Sequence, residues 1–316
     1  MHTVKAISLD LDDTLWPIWP IIERAEAALH EFLLVHAPAA AEQFPVQAMR
    51  HLREQIAQAH PELAHDFTAQ RKLSLQHAFH LSGESDDLIE PAFDAFFRAR
   101  NDVTLYSDCL PALDRLAARF PLIGLTNGNA DLGRTGIGHY FTGCISAREV
   151  GTAKPHPPIF EATSQALGIA PQYILHVGDD PWLDVQGAHD AGFQSVWINR
   201  TGAVWPSEIT PPHLTITDLQ QLAERLEVTP RTIYRDMADL MASGVPIDGE
   251  AGVGYILRDG YDLPPLMFTT EEIVALVAGA RLIRAFGGAQ MAAGAEEALA
   301  KINTVLPDAA RTRAEA

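Results

Sequence analysis

The chain has 316 residues, long enough for two domains with their own cores. Its 47% hydrophobic and 20% charged content excludes a disordered chain, and a formal net charge of −18 argues against broad binding to nucleic acid or anionic membranes. No apolar run approaches the roughly 18 residues of a membrane span, and the N-terminus enters a strand without the basic and apolar regions of a signal peptide, so a cytoplasmic protein is expected.

The first β-rich run, Val4 to Leu9, ends on Asp10, and Asp12 follows two residues later. Strand signals then stop until about residue 121. Residues 20–36, 43–59, 61–80 and 86–100 instead carry apolar positions at helical spacing, punctuated by Pro45, Pro61 and the stretch from Gly83 to Asp86. Strand and helix alternation resumes near residue 107. A helix over about 110–119 leads into the strand Phe120–Leu125, and Gly143–Ser146 reads as another short strand. A helix at about 156–167, the strand Tyr173–Val177, a helix at about 183–191 and the strand Ser195–Asn199 complete the pattern. This is the pattern of a doubly wound α/β parallel sheet, with ligands expected beyond the carboxyl ends of the strands.

Four polar clusters fall at those ends: Asp10 and Asp12; Thr126-Asn127-Gly128; Lys154-Pro155; and Gly178-Asp179-Asp180 with Asp184. Asp10 can attack phosphorus as a carboxylate nucleophile, and Asp12 can protonate the leaving oxygen and later take a proton from water. Thr126 and the backbone N–H of Asn127 would hold a phosphoryl oxygen. Lys154 would neutralise charge on the nucleophile and the transferring group. Asp10, Asp12 and Asp179 form a hard, all-oxygen set suited to Mg²⁺, with Asp184 supporting a metal-bound water or orienting the site. Trp16, directly after the first cluster, is a candidate stacking surface for substrate, and Arg71 on the third expected cap helix a candidate substrate-facing cation. Asp13 and Asp180 are read as structural, His176 as a satisfied buried histidine, and Cys109 and Cys144 as reduced packing residues.

The four clusters in this order resemble the motifs of the haloacid-dehalogenase-like (HAD) hydrolases, most of which are Mg²⁺-dependent phosphatases. The resemblance covers roughly residues 3–222. It implies a HAD-type Rossmann-like parallel sheet (residues 1–16 and 105–221) with an inserted helical cap (17–104). By resemblance, Asp10 and Asp179 bind the metal through carboxylates and Asp12 through its carbonyl. The stretches Leu125 to Ala130 and Ile174 to Asp180, with Asp184-Val185 and Gly187-Ala188, look like bacterial FMN phosphatases that also act on the phosphorylated ribitylaminouracil of riboflavin biosynthesis. The expected partner is a small phosphorylated metabolite. Haloacid dehalogenases lack a carboxylate two residues after the nucleophile, so Asp12 favours phosphate over halide chemistry.

From about Leu222 the pattern changes to helix, turn, helix, with Thr229 as N-cap and Pro230 at the first helical position, and then to a glycine-punctuated hairpin over Val245–Leu257. Two Ala-rich helices are expected at about 269–286 and 289–305. Residues 222–260 resemble a truncated winged helix-turn-helix of the DeoR-like regulators, followed by a helical tail (261–316). Arg231, Thr232, Tyr234 and Arg235 match its DNA-reading helix. Against DNA binding stands a balance of 4 basic to 7 acidic side chains over residues 216–258. The sequence reads as a fusion of two gene fragments, the tail being a passenger or a homodimer-forming appendage. The rival reading is a DNA-binding transcriptional regulator whose HAD-like part senses a ligand.

Overall fold

The computed structural model describes residues 3–227, Met241 and the two segments 247–250 and 254–257. The chain divides into two compact units, Met1–Thr229 and Pro230–Ala316.

A six-stranded, all-parallel sheet organises the first unit: β1 (Ala6–Leu9), β2 (Leu122–Thr126), β3 (Phe141–Ser146), β4 (Ile174–Gly178), β5 (Gln194–Ile198) and β6 (Leu214–Ile216). Their order is β3-β2-β1-β4-β5-β6. β1, β2, β4 and β5 are buried along their whole length, as expected where helices cover both faces of a parallel sheet. β1 is central, paired with β2 on one side and β4 on the other. The chain changes direction across the sheet there, which opens a crevice beyond the carboxyl ends of these three strands.

The cap is inserted between β1 and β2. It comprises α1 (Ile18–His36), α2 (Pro38–Gln43), α3 (Val46–Ala59), α4 (Phe67–Ser82) and α5 (Ile89–Arg100). Ala25, Leu29 and Leu33 of α1, Leu75 and Phe79 of α4 and Phe93 and Phe96 of α5 build a core separate from that of the sheet. The Asp66 carboxylate accepts from the Ala69 N–H at 2.9 Å and starts α4, and Gly83, at φ 76°, ends it in the left-handed region that a side chain would strain. The two connections to the sheet lie side by side, with the Tyr106 N–H donating to the Leu15 carbonyl at 3.0 Å.

Around the sheet pack α6 (Cys109–Ala117), α7 (Ala147–Val150), α8 (Pro157–Leu167), a π-helical turn (Pro181–Gln186) running into α9 (Gly187–Asp190), and α10 (Leu219–Glu227). The periodic reading found neither β6 nor the short α2 and α7. It also ran 61–80 as one helix, where a turn of 3₁₀ helix (Pro61–Leu63) and a break precede α4. The expected start of the helix-turn-helix at 222 falls inside α10, whose Leu219, Leu222 and Ala223 are buried in the core of the first unit. In the second unit, β7 (Ile247–Glu250) and β8 (Gly254–Leu257) form the expected antiparallel hairpin. Arg231, Thr232, Tyr234, Arg235 and the two Ala-rich helices lie outside the described residues. No helix among the described residues is long and apolar enough to cross a membrane.

Candidate active site

Four sheet-end loops meet at Lys154. Its Nζ donates to Asp10 Oδ1 and to Asp184 Oδ1, each at 2.6 Å, and the side chain is buried. Asp10 is fixed by the last ladder bond of β1, its N–H donating to the Val177 carbonyl at 2.9 Å. Lys154 is held by a reciprocal clasp: its N–H donates to Asn127 Oδ1 at 2.7 Å, and Asn127 Nδ2 donates to its carbonyl at 3.0 Å. The Asn127 side chain therefore positions the lysine loop and leaves only its backbone N–H for a substrate oxygen.

Behind Asp184 stands a buried polar chain. His176 Nε2 lies 3.1 Å from Asp184 Oδ1, and His176 Nδ1 lies 2.9 Å from Ser8 Oγ. Ser8 and His176 are register partners on β1 and β4, so strand pairing aims the imidazole at the carboxylate. The second oxygen, Asp184 Oδ2, accepts from the Asp180 N–H at 3.0 Å. Asp180 Oδ1 in turn caps the π-helical turn by accepting from Trp182 and Leu183 N–H at 2.8 Å each. Gly178 is required because a Cβ there would collide with the Asp184 carboxyl group.

Asp179 lies in the same pocket. Thr14 Oγ1 is 3.3 Å from its Oδ1, and its carbonyl accepts from Trp197 Nε1 at 2.7 Å. Oxygens of Asp10, Asp179 and Asp184 all come within 4.8 Å of one another. Burial, reinforced by Asp184 and Asp179, raises the Asp10 carboxyl well above its usual range against the pull of Lys154. Burial, then Asp184 and Asp13, pushes Asp179 up to about 7. At Asp184 burial is outweighed by Lys154 and His176, which hold it below the usual carboxylate range. Burial alone would lower the Lys154 ammonium, but Asp10 and Asp184 prevail and raise it. Three converging carboxylates, two of them reluctant to ionise beside each other, are a donor set that a hard divalent cation fits.

Asp12 faces the other way, toward the cap. Arg100 Nη2 donates to its Oδ1 and Oδ2 at 2.8 and 2.7 Å, and Trp16 Nε1 donates to Oδ1 at 2.8 Å. Trp16 is completely buried, so it offers substrate no stacking face; the expectation is corrected, and the indole instead positions Asp12. Sequence reading missed Arg100. The signal was present, because α5 buries Ala92, Phe93, Phe96 and Arg100, and a charge on an apolar stripe is rarely idle. Thr126 ends β2, and its Oγ1 accepts from the Gly128 N–H at 2.9 Å. A Cβ on Gly128 would come 2.5 Å from Asp12 Oδ2, so this loop approaches Asp12 only as glycine. Asp13, at φ 57°, turns the chain, and its Oδ1 accepts from the Ile18 N–H at 2.9 Å at the start of α1.

A cavity of about 420 Å³ opens between Asp12, Gly128 and the cap, lined by Trp19, Phe67, Arg53, Arg71, Phe96 and Arg100 among others. Arg71 is on this wall, with its guanidinium carbon 3.5 Å from the Phe96 ring centroid. Cys109 and Cys144 are free thiols, both pushed up to about 12, chiefly by burial, which keeps them protonated at neutral pH.

A parallel α/β sheet carrying a buried aspartate, a lysine and an acidic cluster at its strand ends, roofed by a helical cap, has the architecture of a hydrolase. A model of the haloacid dehalogenase-like hydrolases matches residues 4–192, and the chain belongs to that family as a phosphatase. It is 32% identical over 227 residues, 69% of this chain and 94% of the relative, to the 5-amino-6-(5-phospho-D-ribitylamino)uracil phosphatase YigB of Escherichia coli. It is 34% identical over 164 residues, 49% of this chain and 66% of the relative, to a phosphoserine phosphatase of Thermus thermophilus. A crystal structure of a 2-haloacid dehalogenase from Pseudomonas syringae superposes with a TM-score of 0.67 at 34% identity, over 71% of this chain and 98% of that one. A model of an HTH domain matches residues 215–256.

Proposed function

We propose that the chain is a Mg²⁺-dependent phosphomonoester hydrolase that works through an aspartyl-phosphate on FMN or a related small phosphorylated metabolite. The observation that carries this reading is Lys154 bridging Asp10 and Asp184 at 2.6 Å each, with Asp179 in the same pocket. The likeness to a ribitylaminouracil-phosphate phosphatase supports the substrate class.

Asp10 attacks phosphorus, the P–O bond to the leaving alcohol breaks, and Asp12 supplies the proton that alcohol needs. Water, deprotonated by Asp12, then attacks the aspartyl-phosphate, which releases inorganic phosphate and restores the Asp10 carboxylate. Lys154 balances charge on Asp10 and the transferring group, while Thr126 and the Asn127 N–H hold its oxygens. Asp10, Asp179 and Asp184, with the Asp12 carbonyl, would hold Mg²⁺. Bound there, the ion supplies charge that lets a phosphate dianion approach three carboxylates. The cap excludes water from the closed site.

Turnover of p-nitrophenyl phosphate with Mg²⁺ tests the reading. Wild type should turn over, EDTA should abolish activity, and Asp10→Asn should lose about 10⁴-fold or more in kcat. Equal, slow hydrolysis by wild type and Asp10→Asn contradicts it. The match to an HTH model keeps a second reading in play, a transcriptional regulator with a ligand-sensing HAD-like part. Tight duplex binding at about physiological salt, together with that equal slow hydrolysis, would favour it.

A further inference from the structure

The cap cavity holds a cation that the phosphoryl chemistry does not use. Arg71 is 6% exposed, and its guanidinium has no hydrogen bond or ion pair among the described residues, only the stack on Phe96. An unpaired buried charge is costly, so its retention calls for a partner that arrives with the ligand. The neighbouring guanidinium groups each hold a carboxylate, although the buried Arg100 Nη1 has no hydrogen-bond partner among the described residues. Arg100 is bound to Asp12, and Arg50 and Arg53 share Glu26, at 2.5 and 3.4 Å. Glu54 also lines the cavity but is mostly exposed and lies 3.6 Å from His51. On the cavity wall itself three guanidinium groups, Arg53, Arg71 and Arg100, face two carboxylates, Asp12 and Glu54, an excess of one positive charge in a protein of net charge −18. Burial, with Arg53 next, brings Arg71 down to about 9, still a cation at neutral pH.

We infer that this cavity is a monoanion subsite, in which Arg71 receives a carboxylate borne on the leaving group of the phosphate ester. The position fits the chemistry. The cavity meets the reaction centre at Asp12, which serves the leaving oxygen, whereas Lys154, which serves the phosphoryl group, is not on its wall. A guanidinium whose carbon sits 3.5 Å from the Phe96 ring centroid, with no hydrogen bond among the described residues, retains N–H donors for the two oxygens of a carboxylate. One surplus charge matches a carboxylate better than a second phosphate dianion. The inference rests on the phosphatase reading for the direction in which substrate lies, and among small phosphorylated metabolites it selects phosphorylated hydroxy acids over FMN, which bears no carboxylate.

A size-matched pair of probes tests it: 3-phosphoglycerate, which carries the carboxylate, and glycerol 3-phosphate, which does not. In wild type the kcat/KM for the acid should exceed that for the diol by about 10- to 100-fold, chiefly through KM. Arg71→Met should collapse that ratio toward one, while Arg71→Lys keeps part of it. Binding to Asp10→Asn gives a readout without turnover: the acid should raise its Tm more than the diol does, and Asp10→Asn/Arg71→Met should lose the difference. A wild-type ratio near one, or a ratio retained in Arg71→Met, overturns the subsite. If wild type hydrolyses neither probe nor p-nitrophenyl phosphate, the phosphatase reading itself has failed, and the binding comparison still decides the subsite.

Discussion

The sheet and the cap handle buried charge in opposite ways. At the strand ends the buried Lys154 lies between Asp10 and Asp184, His176 backs Asp184, and the half-buried Arg200 holds Asp108 at 2.9 and 3.0 Å. In the cap, Arg50 and Arg53 crowd onto one Glu26, and Arg71 has no ion-pair partner among the described residues. The difference separates two tasks. A transferring phosphoryl group is common to all substrates, so its surroundings can be set in advance and cost no reorganisation during reaction. The leaving group varies, and the wall that recognises it is completed only by the ligand. Arg100 joins the two regions, because it ends the last cap helix and holds Asp12, the carboxylate proposed to serve the leaving oxygen.

Removing the sheet's central cation should have the largest effect. Lys154→Met should lower kcat by about 10²- to 10³-fold for every phosphate ester, whatever its leaving group. It also leaves Asp10 and Asp184 buried without their partner, so Tm should fall. A substrate-dependent loss would instead assign Lys154 to recognition and erase the contrast between the regions.

The junction should come next. Arg100→Gln frees Asp12 from its ion pair and should lower kcat about 10-fold by misplacing the proton donor. The loss should be larger for esters with alkoxide leaving groups than for p-nitrophenyl phosphate, whose phenolate leaves with little protonation. Stopped-turnover rates on the two ester types measure this, and an equal loss on both would make Arg100 only a cap anchor.

The smallest effect concerns a compensated charge of the sheet far from chemistry. Asp108 accepts from Arg200 and from the Leu219 N–H at 2.7 Å, which ties the start of α10 to the start of α6. Burial would raise this carboxyl, but Arg200 and the Leu219 N–H outweigh it and hold it below its usual range. A depressed carboxylate stabilises the fold above its unfolded value, near pH 4, and the contribution fades as pH falls through its folded value. Asp108→Asn should therefore cost about 1–3 kcal/mol at pH 7, with the gap in Tm from wild type closing toward pH 3. A gap independent of pH would show that packing, not charge, is lost.

The sequence disclosed the sheet's half of this comparison far better than the cap's. Each fully buried parallel strand is a short apolar run, and the residues ending it must lie at one edge of the sheet, so Asp10, Thr126 and Asp179 are legible from order alone; Lys154 follows the half-exposed β3 and α7 and is legible only by its place between the second and fourth clusters. The sheet's shortest strand, Leu214–Ile216, was missed because three residues after two prolines carry no periodicity. In the cap, helical spacing located the helices, but which faces meet depends on packing between segments far apart in the chain. Arg100 reaches Asp12 across 88 positions, and nothing near either residue announces the pair. Trp16 was misjudged for a related reason. Proximity to the catalytic loop suggested a mouth, whereas the linker folds under the cap and buries the indole. His176 was read as satisfied, and its partners, Ser8 and Asp184, emerge only once β1 and β4 are in register.

The central claim is that Asp10 carries the phosphoryl group during turnover. Its most direct test is mass spectrometry of peptides from protein quenched in acid during steady-state hydrolysis of p-nitrophenyl phosphate with Mg²⁺. The account expects a phosphoryl adduct on the peptide holding Asp10, absent from Asp10→Asn. Sustained turnover with that peptide unmodified, or an adduct on another residue, would contradict it.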